Sequence, residues 1–282
     1  MTARARVHGL ACALAALLLT ACAGAPPPGG LQFGLIGDTP YGETEAFHLD
    51  GVIDEMNAAP LAFIVHVGDI TSGRGPCSDA WFEARKAQFS RWRAPWLLLP
   101  GDNDWTDCHR SGFEPLERLE RWRRLFCVDP VGLAVERQGG DYCEHARWEV
   151  DGVMFVALNV PGSNNNLGRT PQMDAEHAAR MRAVFAWLDD SAARARQGLV
   201  VLMQANPDFE RETRRRAGVA DGYAALRARL AGLGKPLVLV HGDTHFRRQD
   251  EPLPGLRRIE VPGSPQLGWV RGTLLDGSFW FD

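Results

Sequence analysis

Four short apolar runs in this chain each stop on the dipeptide Gly-Asp: LQFGLIGD at Asp38, LAFIVHVGD at Asp69, WLLLPGD at Asp102 and LVLVHGD at Asp243. Runs of this length, rich in Val, Ile, Leu and Phe, read as buried strands, and ligands of open α/β sheets collect beyond the carboxyl ends of such strands. One Gly-Asp is ordinary turn composition. Four of them, the third extended to GDND and the fourth to GDTH, set carboxylates side by side if the strands are neighbours. Carboxylates so placed repel one another unless a positive charge joins them, and a metal ion supplies that charge compactly. Order and spacing together point to a metal site.

The elements that would position these residues follow from periodicity. Helix-type apolar spacing predicts helices over residues 43 to 58, 78 to 92, 114 to 127, 172 to 196 and 221 to 231. Pro115 and Pro171 stand near two starts, Ser78 is placed to cap a third, and Gly198 and Gly232 follow two of the stops. Further strands are expected at 152 to 158, 198 to 204, near 257 to 261, 267 to 271 and 278 to 281, the last three mixed or antiparallel. Strand and helix alternation over the first two thirds argues α/β layering, with the site in loops along one edge.

Residues 1 to 22 carry Arg4 and Arg6, an apolar stretch from Leu10 to Leu19, and then Leu19-Thr20-Ala21-Cys22. The stretch is too short to span a bilayer, and its ending resembles a bacterial lipobox, in which the cysteine is lipidated and becomes the first residue. The expectation is an exported lipoprotein facing the periplasm, anchored to the membrane through Cys22, with residues 23 to 30 (AGAPPPGG) as a tether. From Leu31 to Asp282 there are about 250 residues with no second linker and no internal repeat, which suits one domain. The chain has 31 Lys and Arg against 35 Asp and Glu, and its basic residues are scattered, so no nucleic-acid footprint is present. Beyond Cys12 and Cys22, four cysteines remain, an even count that suggests disulfides in an exported protein. Cys77 with Cys108 is favoured because both fall in loops after Gly-Asp strands, which leaves Cys127 with Cys143.

The order of motifs resembles the calcineurin-like metallophosphoesterases, over essentially the whole of residues 31 to 282. The counterparts of the family's five motifs are Gly37-Asp38-Thr39-Pro40, Gly68-Asp69, Gly101-Asp102-Asn103-Asp104, Gln204-Ala205-Asn206-Pro207 and Gly242-Asp243-Thr244-His245. The resemblance implies two packed mixed sheets flanked by helices, an α/β/β/α sandwich. It also implies a dinuclear site whose hydroxide hydrolyses a phosphoester, with Asp69 bridging both metals. Carried over residue by residue, the ligands are Asp38, Asp69, Asp102, Gln204, Asp243 and His245. A shift by one residue makes Asn103 a ligand; without it Asn103 stands at the family's catalytic histidine.

Several letters depart from the family pattern. Pro40 stands where a histidine ligand is usual and has no lone pair to offer. At the fourth motif Gln204 or Asn206 would have to offer an amide oxygen. At the fifth, Asp243 replaces a histidine, while His241 lies two residues earlier, where strand alternation lets the two share a face. Carboxylates and amide oxygens in place of imidazoles favour manganese, magnesium or iron(II) over zinc. Four carboxylates neutralise two divalent ions, so either arginines help draw in a phosphate or turnover is modest; Arg74, Arg110, Arg169 and Arg247, in loops after these strands, read either as phosphate clamps or as solvated loop charges.

The leaving oxygen needs a proton, for which His109, His66 or a metal-bound water is available. The loop PGSNNNLGRT, residues 161 to 170, reads either as a substrate wall or as a polar turn. The substrate class is a phosphorylated small molecule or a phosphodiester. The alternative is a catalytically degenerate lipoprotein that keeps the fold for binding or scaffolding, or a nucleotide-binding receptor without hydrolysis.

Overall fold

Alternation along the apolar runs decides the architecture. The computed structural model describes residues 29–210 and 220–282. In β1 (Leu31–Ile36) and β2 (Leu61–His66), Phe33, Leu35, Phe63 and Val65 point one way, while Ile36 and Ile64 point the other, and both faces are buried. Strands apolar on both faces need a layer on each side. The inner face packs against a second sheet: Phe33 stacks on Phe63 at 5.1 Å and meets Phe155 edge-on at 5.4 Å. The outer face is covered by α1 (Glu43–Ala58), α2 (Asp79–Phe89) and α3 (Pro115–Phe126).

The second sheet holds β4 (Glu136–Arg137), β5 (Ala146–Val150), β6 (Val153–Ala157), β7 (Gly198–Leu202), β8 (Leu237–His241), β9 (Arg248–Leu253) and β10 (Leu256–Glu260). The first sheet runs β12 (Ser278–Phe281), β11 (Val270–Leu275), β1, β2 and β3 (Trp96–Leu98); the second runs β4-β5-β6-β7-β8-β10-β9. The strands β1, β2 and β3 are parallel, as are β6, β7, β8 and β10; the remaining pairings are antiparallel. Helices α4 (Pro171–Arg194) and α5 (Ala224–Ala231) cover the outer face of the second sheet. This is the expected α/β/β/α sandwich.

Pro115 and Pro171 open α3 and α4, and Ser78 caps α2 by accepting from Trp81 N at 3.2 Å. Differences are local. The strand expected at 267 to 271 begins only at Val270, and β5 (ARWEV) and β9 (RQDEPL) carry charges that hide them from an apolar scan. Both cysteine pairs form disulfides, Cys77 with Cys108 and Cys127 with Cys143. The leader, Cys22 and nearly all of the tether lie outside the described residues, among which no helix is long and apolar enough to cross a membrane.

Candidate metal centre

The carboxyl ends of the parallel strands from both sheets come to one edge. There the chain turns sharply: Asp38, Asp69 and Asp243 have φ of 51°, 60° and 76°. Left-handed backbone costs an L-residue roughly 1–2 kcal/mol, least for Asp and Asn, so strain is concentrated at three of the four strand-end aspartates. Gly242 is required by close approach, since a Cβ there would lie 1.8 Å from Asp38 Oδ2. The two sheets are stitched at this point, where Asp243 N donates to Asp38 Oδ1 at 2.9 Å.

Around Asp69 the donors are neutral. Its Oδ2 accepts from Asn103 Nδ2 at 2.8 Å, Tyr41 Oη at 3.1 Å and Gln204 Nε2 at 3.1 Å, and its Oδ1 accepts from Asn103 N at 3.0 Å. Tyr41 Oη also meets His245 Nε2 at 2.9 Å, and that nitrogen lies 3.8 Å from Asp38 Oδ1. On the other side, Asp243 Oδ1 and Asp102 Oδ1 lie 2.5 and 2.6 Å from where a Cβ on Gly162 would stand, so only glycine leaves both oxygens their common space. Asp104 is different in kind: its carboxylate accepts from the N–H groups of Asp69, Ile70 and Gly101 at 2.8 to 2.9 Å and so ties two strand ends together.

Asp38, Asp69 and Asp102 are 0, 2 and 7% exposed. Burial, reinforced by the neighbouring carboxylates, pushes all three well above the ordinary carboxyl pKa, and Asp243 is pushed up to about 6 by burial. Among the described residues no lysine or arginine pairs with any of the four; His245 is the one basic side chain in reach. Buried carboxylates without compensating charge are strongly unfavourable, and among the described residues Asp38 Oδ2 has no hydrogen-bond partner. An oxygen-rich donor set with a charge deficit fits a hard divalent cation. The oxygens meet in pairs: the one group of three His, Cys, Asp or Glu among the described residues with all ligand atoms within 4.8 Å is Cys127, Cys143 and Glu144, whose sulfurs are in a disulfide.

The expected ligands divide accordingly. Asp38, Asp69, Asp102, Asp243 and His245 come to the edge together. Asn103 and Gln204 reach it as donors, for the Gln204 oxygen is taken by Gly162 N at 2.5 Å, and Asn206 Oδ1 closes a turn onto Asp208 N. His241 does not join them. It stands on the face of Leu237 and Leu239, its Nδ1 against Gly242 O at 2.8 Å, and burial takes its pKa down to about 3. Alternation fails to carry from His241 to Asp243 because β8 ends at His241 and the backbone turns left-handed at Asp243.

His66 is buried on the outer, helix-covered face, its ring against Phe89 and its nitrogens meeting Thr39 O at 2.8 Å and Gly68 N at 3.2 Å. With burial lowering its pKa to about 4, it braces two strand-end loops as a neutral ring. His109 lies exposed on a 3-10 turn (Thr106–Ser111), with Nδ1 near Thr106 O and Arg169. Arg110 and Arg169 gather beside buried Asp107, at 2.7 and 3.7 Å, while Arg74 and Arg247 are exposed.

Sequence reasoning missed Tyr41, Asp107 and Ser163. Tyr41 follows Pro40 directly, so the signal was an oxygen donor one residue beyond the missing histidine. Ser163 Oγ lies 2.7 Å from both Asp102 Oδ2 and Asp107 Oδ2 and sits inside the 161 to 170 loop already singled out.

The two sheets flanked by helices are a fold this chain shares with solved phosphatase structures. A dimetal phosphatase from Danio rerio superposes with a TM-score of 0.55 at 14% identity, over 89% of this chain and 94% of that one. Purple acid phosphatase from yellow lupin (Lupinus luteus) seeds gives 0.53 at 11% identity, over 89% of this chain but 51% of that one, so this chain spans about half its length. No protein-family model matches the sequence, and no curated protein matches it either.

Proposed function

We propose that this chain is a metal-dependent phosphoesterase acting on a phosphorylated small molecule or a phosphodiester. The observation that carries it is the set of four strand-end carboxylates, three of them buried and Asp243 half-buried, with no arginine or lysine among the described residues to balance them. Asp38, Asp69 and His245, with Tyr41 beside them, would hold one divalent ion, and Asp69, Asp102 and Asp243 a second. Bound there, such ions supply positive charge to the phosphoryl oxygens and lower the pKa of water to make a nucleophile.

The protein's own groups do the rest. Asn103 and Gln204 fix the orientation of Asp69 by donating to Oδ2. Arg110, half tied to Asp107, offers its remaining N–H groups to phosphoryl oxygens. Arg169 is spent largely on Thr106 and Asn166 and serves to hold the rim. Among the described residues His109 Nε2 makes no hydrogen bond, and on this reading His109 gives the proton to the leaving oxygen. His66 is not, because both its nitrogens are engaged. Manganese, magnesium or iron(II) suits this oxygen-rich set better than zinc.

The leader belongs to the same reading: residues 1 to 22 direct export, Cys22 carries the lipid, residues 23 to 30 form the tether, and residues 31 to 282 form the hydrolase. Two disulfides suit an oxidising compartment. Fractionation tests this directly, since Cys22→Ser is expected to release the protein from membranes.

One observation favours a second reading, that of a metal-free binding lipoprotein: three neutral donors already satisfy Asp69 Oδ2. The two separate on purified protein. Manganese-dependent cleavage of 4-nitrophenyl phosphate or its bis-ester, lost together with bound metal in Asp69→Ala, supports the enzyme. No bound metal and no cleavage under added manganese supports the binding protein.

A further inference from the structure

Ser163, Asn164, Asn165 and Asn166 hold φ of 48°, 57°, 55° and 66°, four consecutive non-glycine residues in the left-handed region. There the Cβ of an L-residue crowds its own carbonyl, and such a run persists only where the surroundings over-determine it. They do so here. Asn164 donates to Leu167 O and Ala220 O and accepts from Gly222 N. Buried Asn165 is held by Arg180 at 2.6 Å, by Gly222 O at 3.0 Å and, through its N–H, by Tyr223 Oη at 3.0 Å. Asn166 spans Thr106 Oγ1 at 2.7 Å and Glu176 Oε2 at 2.8 Å.

What this scaffold delivers to the metal edge is one hydroxyl. Ser163 Oγ sits 2.7 Å from Asp102 Oδ2 and 2.7 Å from Asp107 Oδ2, between a carboxylate of the cation cluster and the carboxylate that holds Arg110. A hydroxyl has a single proton to donate, so it serves as the shared spacer between two groups that would otherwise repel. With Oδ2 engaged in this way, the other oxygen of Asp102 is the one turned toward Asp243 at Gly162.

We propose that Ser163 is a positioning residue of the metal site: it pins Asp102 Oδ2 against Asp107 and thereby presents Oδ1, together with Asp243, to a divalent cation. This rests on the phosphoesterase reading. The left-handed turn is the device that brings the hydroxyl there, because the chain leaving β6 has to reverse direction over the tips of Asp102 and Asp243.

Two variants of the full chain separate positioning from support of the turn. Ser163→Ala and Ser163→Gly both lose the hydroxyl, but glycine relieves the left-handed backbone whereas alanine keeps the strain, so the metal-free melting temperature of Ser163→Gly is expected to exceed that of Ser163→Ala. Manganese affinity, measured by equilibrium dialysis, is expected to fall about tenfold or more in both, equally in the two despite their different stabilities. In the same variants kcat falls while KM stays near the wild-type value. Affinity that follows melting temperature, with Ser163→Gly restored to wild type, would overturn the proposal, and so would wild-type affinity in both variants. Those outcomes leave the phosphoesterase reading standing; a wild-type chain that takes up no manganese removes both.

Discussion

Glu144 and Asp69 are each 2% exposed, and the protein treats them in opposite ways. Glu144 receives Arg123 on both oxygens, at 2.6 and 2.9 Å, and Asn159 Nδ2 at 2.9 Å. Burial pushes its carboxyl upward, yet the Arg123 hydrogen bonds and charge outweigh burial and leave it below the ordinary value. Asp69 accepts four hydrogen bonds against three at Glu144, but all are from neutral donors, and burial together with Asp102, Asp104, Asp38 and Asp243 pushes it well above. Hydrogen bonds from amides and a phenol orient a carboxylate without cancelling its charge. The comparison shows that the fold can balance a buried acid with arginine and, among the described residues, does not do so at the strand ends.

The comparison breaks most clearly on Asp69 itself. Asp69→Ala is expected to bring hydrolysis and bound metal to background, while the metal-free form of Asp69→Asn melts higher than the wild type because a repelling charge is gone. At the other acid the sign reverses. Glu144→Ala leaves Arg123 partly buried without its main partner and is expected to cost about 3–5 kcal/mol in denaturant unfolding, with metal content unchanged.

The disulfides sharpen the same contrast. Both sulfurs of Cys77–Cys108 lie 3.4 Å from Asn103 O, whereas Cys127–Cys143 adjoins Glu144. Replacing either pair by serine is expected to cost about 3–4 kcal/mol, but only the first lowers metal affinity.

A smaller effect is graded by pH. Burial lifts the Asp243 carboxyl to about 6 and the Asp104 carboxyl to about 7, the latter against three backbone N–H bonds that pull it down. A carboxyl whose pKa is raised on folding contributes stability below its unfolded value, and that contribution is lost as pH rises through the folded value. Metal-free protein is therefore expected to lose stability from about pH 4 to about pH 7, followed by thermal melting, and saturating manganese is expected to flatten the slope.

Much of this edge was legible in the chain. Four apolar runs ending on Gly-Asp became β1, β2, β3 and β8, because an uninterrupted Val, Ile, Leu and Phe run has few folds other than a strand covered on both faces. What escaped was set by tertiary placement. His241 seemed to share a face with Asp243 until the left-handed turn intervened, and β9 pairs at the sheet margin through its backbone and polar side chains, Asp250 meeting Arg258 of β10 at 2.7 Å, so it shows no apolar run. Gln204 was expected to offer its oxygen, but Gly162 N–H, distant in sequence, had taken it. Tyr41 stands one residue past the missing histidine and Ser163 inside the 161 to 170 loop, but one phenol or one hydroxyl acquires meaning only from the carboxylates it meets.

The central claim is that the strand-end aspartates await a cation. It is tested most directly by the melting temperature of the metal-stripped full chain at neutral pH, with and without manganese. The account predicts a rise that saturates with manganese concentration in the wild type and is absent in Asp69→Ala. An unchanged melting temperature in the wild type would contradict it.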